Sequence, residues 1–166
     1  MGTLETTTSR GGQYLTFFLG EEEYGCEILK VQEIIGIQGI TSVPRTPDFI
    51  RGVINLRGQV VPVLDLRLKF DMSAIDTTSE TCIIVVKAQD IQMGVQVDRV
   101  SEVVDIFEDD IEDVPEFGAD LPESYLLGLG KSGSQVKLLL NIDNIITFQE
   151  AAALKQAAET DQPSNS

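Results

Sequence analysis

The run Thr46-Pro47-Asp48-Phe49-Ile50-Arg51-Gly52-Val53-Ile54-Asn55-Leu56-Arg57-Gly58-Gln59-Val60-Val61-Pro62-Val63-Leu64-Asp65-Leu66 decides the fold. Two apolar runs, Asp48 to Asn55 and Gln59 to Leu66, meet at Leu56-Arg57-Gly58. Runs this short, joined by a turn whose Gly tolerates a positive φ, predict a β-hairpin. Gly52, Asn55 and Gly58 read as structural turn residues, and losing either glycine is expected to cost the fold before the function. Pro62 has no N–H for a ladder, so the second run reads as an edge strand or a bulged one.

The same pattern returns further along the chain. With a shift of 76, Phe49-Ile50-Arg51-Gly52 falls on Tyr125-Leu126-Leu127-Gly128, and Leu64-Asp65-Leu66 falls on Leu140-Asn141-Ile142. With a shift of 69, Tyr24-Gly25-Cys26-Glu27-Ile28 falls on Met93-Gly94-Val95-Gln96-Val97, and Lys30 to Ile35 falls on Arg99 to Val104. This is an internal duplication, with units at about 13–70 and 82–146 and a seven-residue insertion in the second copy. Ile28, Val31 and Ile35 recur at helical spacing, so each copy reads strand, turn, strand, short helix, hairpin, strand. The predicted fold is mainly β, two small antiparallel barrels packed together with short helices. The repeat alone leaves open whether the barrels exchange strands. Residues 1–12 and the end of 149–166 are polar and read as disordered tails, with a short helix opening the latter.

Composition removes whole classes of function. The 166 residues carry 27 acidic and 12 basic side chains, a formal charge of -15, which disfavours nucleic acid and acidic membrane surfaces as partners. There is no His, so imidazole-based nucleophile activation, His-ligated metals and histidine phosphorelay within the chain are excluded. Cys26 and Cys82, 56 residues apart, read as small buried hydrophobes in a reducing cytosol. The longest apolar run, Cys82 to Val86, is five residues, and the N-terminus has no signal-peptide core, so a cytoplasmic protein without membrane insertion is expected. Met1-Gly2 with Thr6 fits a loose myristoylation pattern that matches often by chance.

Two stretches imitate chemistry. Gly128-Leu129-Gly130-Lys131-Ser132 suggests a phosphate loop, but Tyr125 stands where a Gly is needed and a strand-like run follows. The repeat places it on the second hairpin, as a β-turn. Eight carboxylates lie between Glu108 and Glu123, yet Ile111 occupies a ligand position of an EF-hand and no central Gly is present, so a solvated acidic loop is expected. Carboxylate-pair hydrolysis remains the distant enzymatic alternative, although nothing singles out one pair among 27 acids. No catalytic, metal or cofactor residues are assigned.

Leu19-Gly20-Glu21-Glu22-Glu23-Tyr24-Gly25, Ile28-Leu29-Lys30-Val31-Gln32-Glu33-Ile34, the Thr46 to Gly58 run and Val61 to Arg67 closely resemble the CheW-like family of bacterial chemotaxis adaptors. The likeness continues through Gly94, Asp98, Val100-Ser101, Pro115-Glu116-Phe117 and Tyr125 to Gly130, covering about 13–148. With no kinase segment and no room for a receiver, a free-standing adaptor matches better than the CheA regulatory domain or CheV. The resemblance implies two SH3-like five-stranded barrels, no enzymatic activity and no cofactor. It implies that the adaptor joins the cytoplasmic tip of a chemoreceptor, held in a hydrophobic groove, to the regulatory domain of the histidine kinase CheA, in arrays at the inner face of the cell membrane. By matching position the receptor-facing groove includes Val31, Ile34, Val100 and Val103, with Glu33 and Arg57 nearby, and Phe117 faces the kinase. Glu112 stands where a relative can carry a basic residue. Periodicity alone reads the four apolar candidates as core on a helix-like segment, so core and groove both stand at this point. The pathway, flagellar or another CheW-type system such as one steering pili, and ring formation with further copies of the same protein also stay open.

Overall fold

The hairpin at the centre of the sequence forms as β4 (Ile50–Leu56) and β5 (Gln59–Asp65). Its two-residue turn puts Arg57 at φ 51° and Gly58 at φ 88°, and the Gly58 N–H donates to Asn55 Oδ1 at 2.8 Å. Two successive positive φ angles match the right-handed twist of the flanking strands. In this computed structural model, which describes residues 9–114 and 122–160, the strands before the hairpin are β1 (Gly12–Leu19), β2 (Glu22–Glu27) and β3 (Val31–Gly36). The second copy gives β6 (Cys82–Ala88), β7 (Ile91–Val97), β8 (Arg99–Ile106), the short β9 (Ile111–Glu112), β10 (Leu126–Ser132) and β11 (Gln135–Leu140). A single helical turn, α1 (Leu66–Lys69), follows β5, and α2 (Phe148–Thr160) follows β11. Among the described residues no helix is long and apolar enough to cross a membrane.

The repeats exchange strands. A five-stranded sheet has the order β3-β6-β7-β5-β4, and a six-stranded sheet has the order β8-β1-β2-β11-β10-β9. The first two strands of each copy are thus inserted among the last three of the other, and the two sheets repeat one order apart from β9. Each contains one parallel ladder, β5 with β7 and β2 with β11, so the sheets are not wholly antiparallel, and neither ladder closes into a ring.

Several local expectations are corrected. The helix expected over Ile28 to Ile35 is one 3-10 turn, Ile28–Lys30, followed by β3, and its repeat partner is β8. Half-exposed edge strands with β-bulges lose clean alternation, which is how an apolar spacing of three and four arose there. β5 lies inside its sheet, but its parallel ladder with β7 begins at Val63, and Pro62 itself is paired with Val53 of β4. The phosphate-loop look-alike is strand β10, and the turn falls at Gly133-Ser134. Gly52 sits in a bulge of β4 rather than at a turn: with φ 142°, a Cβ there would stand 2.0 Å from the Thr41 carbonyl oxygen. That oxygen accepts the Val53 N–H at 2.9 Å, so the missing side chain lets the β3–β4 connection lie on β4.

Three apolar clusters follow from this layout. The largest lies between the sheets and takes Leu15, Phe17 and Leu140 from one and Leu64, Ile84 and Met93 from the other. Inside the five-stranded sheet is an aliphatic cluster of Ile54, Leu56, Val61, Val63, Ile83 and Val85. Inside the six-stranded sheet only Tyr14, Ile106, Ile111 and Leu139 form the buried cluster. Cys26 and Cys82 are buried free thiols, and burial pushes the Cys26 thiol up to about 12.

Candidate functional site

Register decides where the four apolar candidates point, because residues directly opposite in an antiparallel ladder project to the same face. Val31 lies opposite Val86 and Ile34 opposite Ile84, both members of the cluster between the sheets. Three positions apart, Val31 and Ile34 would normally face opposite ways; the bulge between Val31 and Glu33 brings them together. On β8, Val100 lies opposite Phe17 and Val103 opposite Leu15, again in that cluster. All four candidates therefore share the inter-sheet layer, on the two edge strands β3 and β8. Val31 and Val100 are half-buried against the cluster, while Ile34 is 45% and Val103 50% exposed. The apolar layer runs past its covered centre onto open strand.

Cys82 joins the ends of these strands. It is the ladder partner of Gly36 at the end of β3, and its thiol lies near the backbone N–H of Val100 at the start of β8. Burial raises its pKa nonetheless, as expected for a thiol that packs rather than reacts.

Glu33 and Ile35 face the other way, toward Val85 and Ile83 inside the five-stranded sheet. Glu33 meets Arg57 in a two-pronged ion pair: Nη1 donates to Oε2 at 3.1 Å and Nη2 donates to Oε1. The guanidinium holds the Glu33 carboxyl below the usual carboxylate range. Glu33 is on a strand, and the pair lies within one sheet, joining edge strand β3 to the tip of the β4–β5 hairpin at the opposite end of the sheet order. It spans the gap that the backbone ladder leaves open.

Further ion pairs hold the ends of the two copies together. Arg67, on α1, donates from Nε to Asp98 Oδ1 at 2.8 Å and from Nη2 to Oδ2 at 2.6 Å, and Asp98 also accepts the Gly20 N–H at 2.7 Å. Burial opposes the charge on Asp98, but these donors outweigh it and hold the carboxyl below its ordinary value. At the opposite joint Lys30 pairs with Asp143 at 2.7 Å.

Reading the sequence missed a buried pair, Glu23 with Lys137 at 3.0 Å, whose side chains are 6% and 3% exposed. Glu23 Oε2 has no hydrogen-bond partner. The available signal was Lys137 standing in phase with buried Leu139 along β11. Leu29 and Phe107, exposed apolar residues at the ends of β3 and β8, were also passed over. Glu112 pairs with Lys131 across β9 and β10. Phe117 lies outside the described residues. Among the described residues no group of three or more His, Cys, Asp or Glu could hold a metal ion.

Residues 13–150 match the model of the CheW-like domain. The chain belongs to that family. It is 41% identical to the chemotaxis protein CheW of Klebsiella aerogenes over 90% of each chain. It is 32% identical to the protein FrzA of Myxococcus xanthus, with 81% of this chain and 84% of that one covered. Among solved structures, the scaffolding protein TtCheW of Thermoanaerobacter tengcongensis superposes with a TM-score of 0.78 at 31% identity, covering 84% of this chain and 95% of that one. This CheW-like chain is thus a chemosensory scaffold of SH3-like fold and not an enzyme.

Proposed function

We propose that this CheW-like chain couples the cytoplasmic tip of a chemoreceptor to the regulatory domain of a CheA-type histidine kinase, in cytoplasmic arrays at the inner face of the membrane. The observation that carries the receptor side is the shared face of Val31, Ile34, Val100 and Val103, an apolar layer left open on two edge strands. A helical receptor tip fits such a strip by laying its apolar face along it. Glu33, on the opposite face of β3, and Arg57 are assigned to orienting the partner by family likeness. Phe117 is assigned to the kinase contact on family likeness alone.

The test uses a receptor-tip fragment and a kinase regulatory domain as separate baits. Ile34→Asp and Val103→Asp place carboxylates on exposed positions, so both variants should melt within a few degrees of the native chain. Each should weaken receptor capture about tenfold or more while kinase capture persists. Val31→Asp should lower the melting temperature as well, because that side chain is half-buried on the cluster. Unchanged receptor capture in both exposed variants, or loss of both partners together, would overturn the assignment.

A further inference from the structure

Arg10, two residues before β1, is engaged on every side despite its polar, Thr- and Ser-rich surroundings. Its backbone N–H donates to Glu108 Oε1 at 2.6 Å, and its Nη2 donates to Glu108 Oε2 at 3.0 Å. Nη1 donates to Asp113 Oδ1 at 2.9 Å and to the Leu127 carbonyl of β10 at 3.1 Å. The Arg10 carbonyl accepts the buried Tyr14 hydroxyl at 2.5 Å, which anchors the backbone of Arg10 to the interior of the six-stranded sheet.

The two carboxylates it grips flank β9. Glu108 precedes and Asp113 follows a strand of two residues, attached to β10 through Ile111 opposite Gly130 and Glu112 opposite Leu129. Two ladder positions are a weak attachment. Five acidic residues also crowd 108–113 and repel one another. One planar guanidinium, with donors in a fixed fork, can hold both flanks at once. Glycines make room for it: a Cβ on Gly11 would stand 2.8 Å from the Glu108 nitrogen, and one on Gly128 would stand 3.2 Å from Arg10 Nη1.

We infer that Arg10 is a positioning residue that clamps β9 onto β10 and so presents the Glu112–Lys131 edge of the six-stranded sheet in a fixed register to the kinase regulatory domain. The clamp rests on the distances above; the partner rests on the function proposed in the preceding subsection, in which Phe117, five residues beyond Glu112, is assigned to the kinase. The receptor strip lies on the inter-sheet face of β3 and β8, whereas the Arg10 guanidinium binds Glu108, Asp113 and Leu127 around β9 and β10, so the two partners should respond differently.

The full chain is compared with Arg10→Ala and Arg10→Lys. Hydrogen exchange should show amides of 111–113 in Arg10→Ala opening about tenfold faster, with the β6–β7 ladder unchanged. Capture of the kinase regulatory domain should weaken about three- to tenfold, and receptor-tip capture should stay within about twofold. Arg10→Lys keeps the charge but not the fork and should fall between the two. Unchanged exchange at 111–113 overturns the clamp. Faster exchange with undiminished kinase capture overturns the positioning role while leaving the clamp. A native chain that captures no kinase regulatory domain overturns the coupling function, and with it the partner assigned to this edge. Exchange at 111–113 reads the clamp in every case.

Discussion

The two sheets share one strand order and one pattern of bulges, yet they are filled and fastened differently. The five-stranded sheet encloses six aliphatic residues and fastens its free edges with the Glu33–Arg57 pair at a hairpin tip. The six-stranded sheet encloses a smaller apolar cluster with the buried Glu23–Lys137 pair, and a residue from outside the repeat, Arg10, ties its edges. At the sequence equivalents of Glu23 and Lys137 the five-stranded sheet carries Gln92 and Val61. At the equivalents of Glu33 and Arg57 the six-stranded sheet carries Glu102 and Gly133. Duplication thus preserved the backbone plan while the devices that finish each sheet arose separately.

The largest expected effect separates the two interiors. Lys137→Met leaves the Glu23 carboxylate buried without a partner and should destabilise the protein by about 3 to 5 kcal/mol in chemical denaturation. Adding Glu23→Leu to Lys137→Met should recover most of that loss, because an apolar pair then resembles the Val61 side of the other sheet. A double variant no more stable than Lys137→Met would mean that the charge pair, and not its volume, specifies the six-stranded sheet.

Next come the equivalent bulges. Gly52→Ala drives a Cβ against the Thr41 carbonyl backbone and should cost about 2 to 3 kcal/mol. Gly128→Ala first meets the Ile111 Cγ2 methyl at 2.7 Å and the Glu112 carbonyl at 2.8 Å, a side chain and a two-residue strand that yield more readily. Its cost should be nearer 1 kcal/mol. Equal costs, measured by denaturant midpoints, would show that β9 is as firmly seated as the Thr41 connection.

The joints between the copies have a pH signature. Asp98 is held below its ordinary pKa, so its contribution is fully present above the unfolded carboxylate value of about 3.9 and is lost as pH falls through the lower folded value. Asp98→Asn should therefore lower the melting temperature at neutral pH, and the gap from the native chain should close in strong acid. A gap independent of pH would point to packing and not to the charge.

The smallest effect is expected at Glu33 and Arg57, where the charges are open to solvent. Reversing either should move the melting temperature by no more than about two degrees while weakening receptor capture. The double swap should restore part of that capture, and purely additive losses would mean that the two do not act together.

Much of the plan was legible in the sequence. The Asn55 to Gly58 turn carries its own chemistry, and the two register shifts exposed the duplication because ladder pairing repeats where bulges and turns repeat. Strand exchange was hidden, since which copy a strand joins depends on contacts far along the chain. β3 and β8 were misread as helical because their bulges interrupt the two-residue period between Val31 and Glu33 and between Val100 and Val103. The candidate residues were named from family likeness, and the face they share could only be read from ladder register. Arg10 left no local signal, because its partners lie about a hundred positions away.

The interleaving of the copies also sets an order of events during synthesis. When β5 emerges, the five-stranded sheet still lacks β6 and β7, which stand between β3 and β5. β1 and β2 form a hairpin at once, but their outer neighbours, β8 and β11, are made only after residue 98. Each half of the nascent chain therefore holds a vacancy shaped for the other, and both sheets are completed late. Until then the open edges of β3, β4 and β5 resemble those of another copy waiting for the same strands, so crowded ribosomes offer an intermolecular route to the same pairing. The connection 70–81 tethers the second copy to the first at a modest loop-closure cost, which makes the intramolecular partner the nearer one.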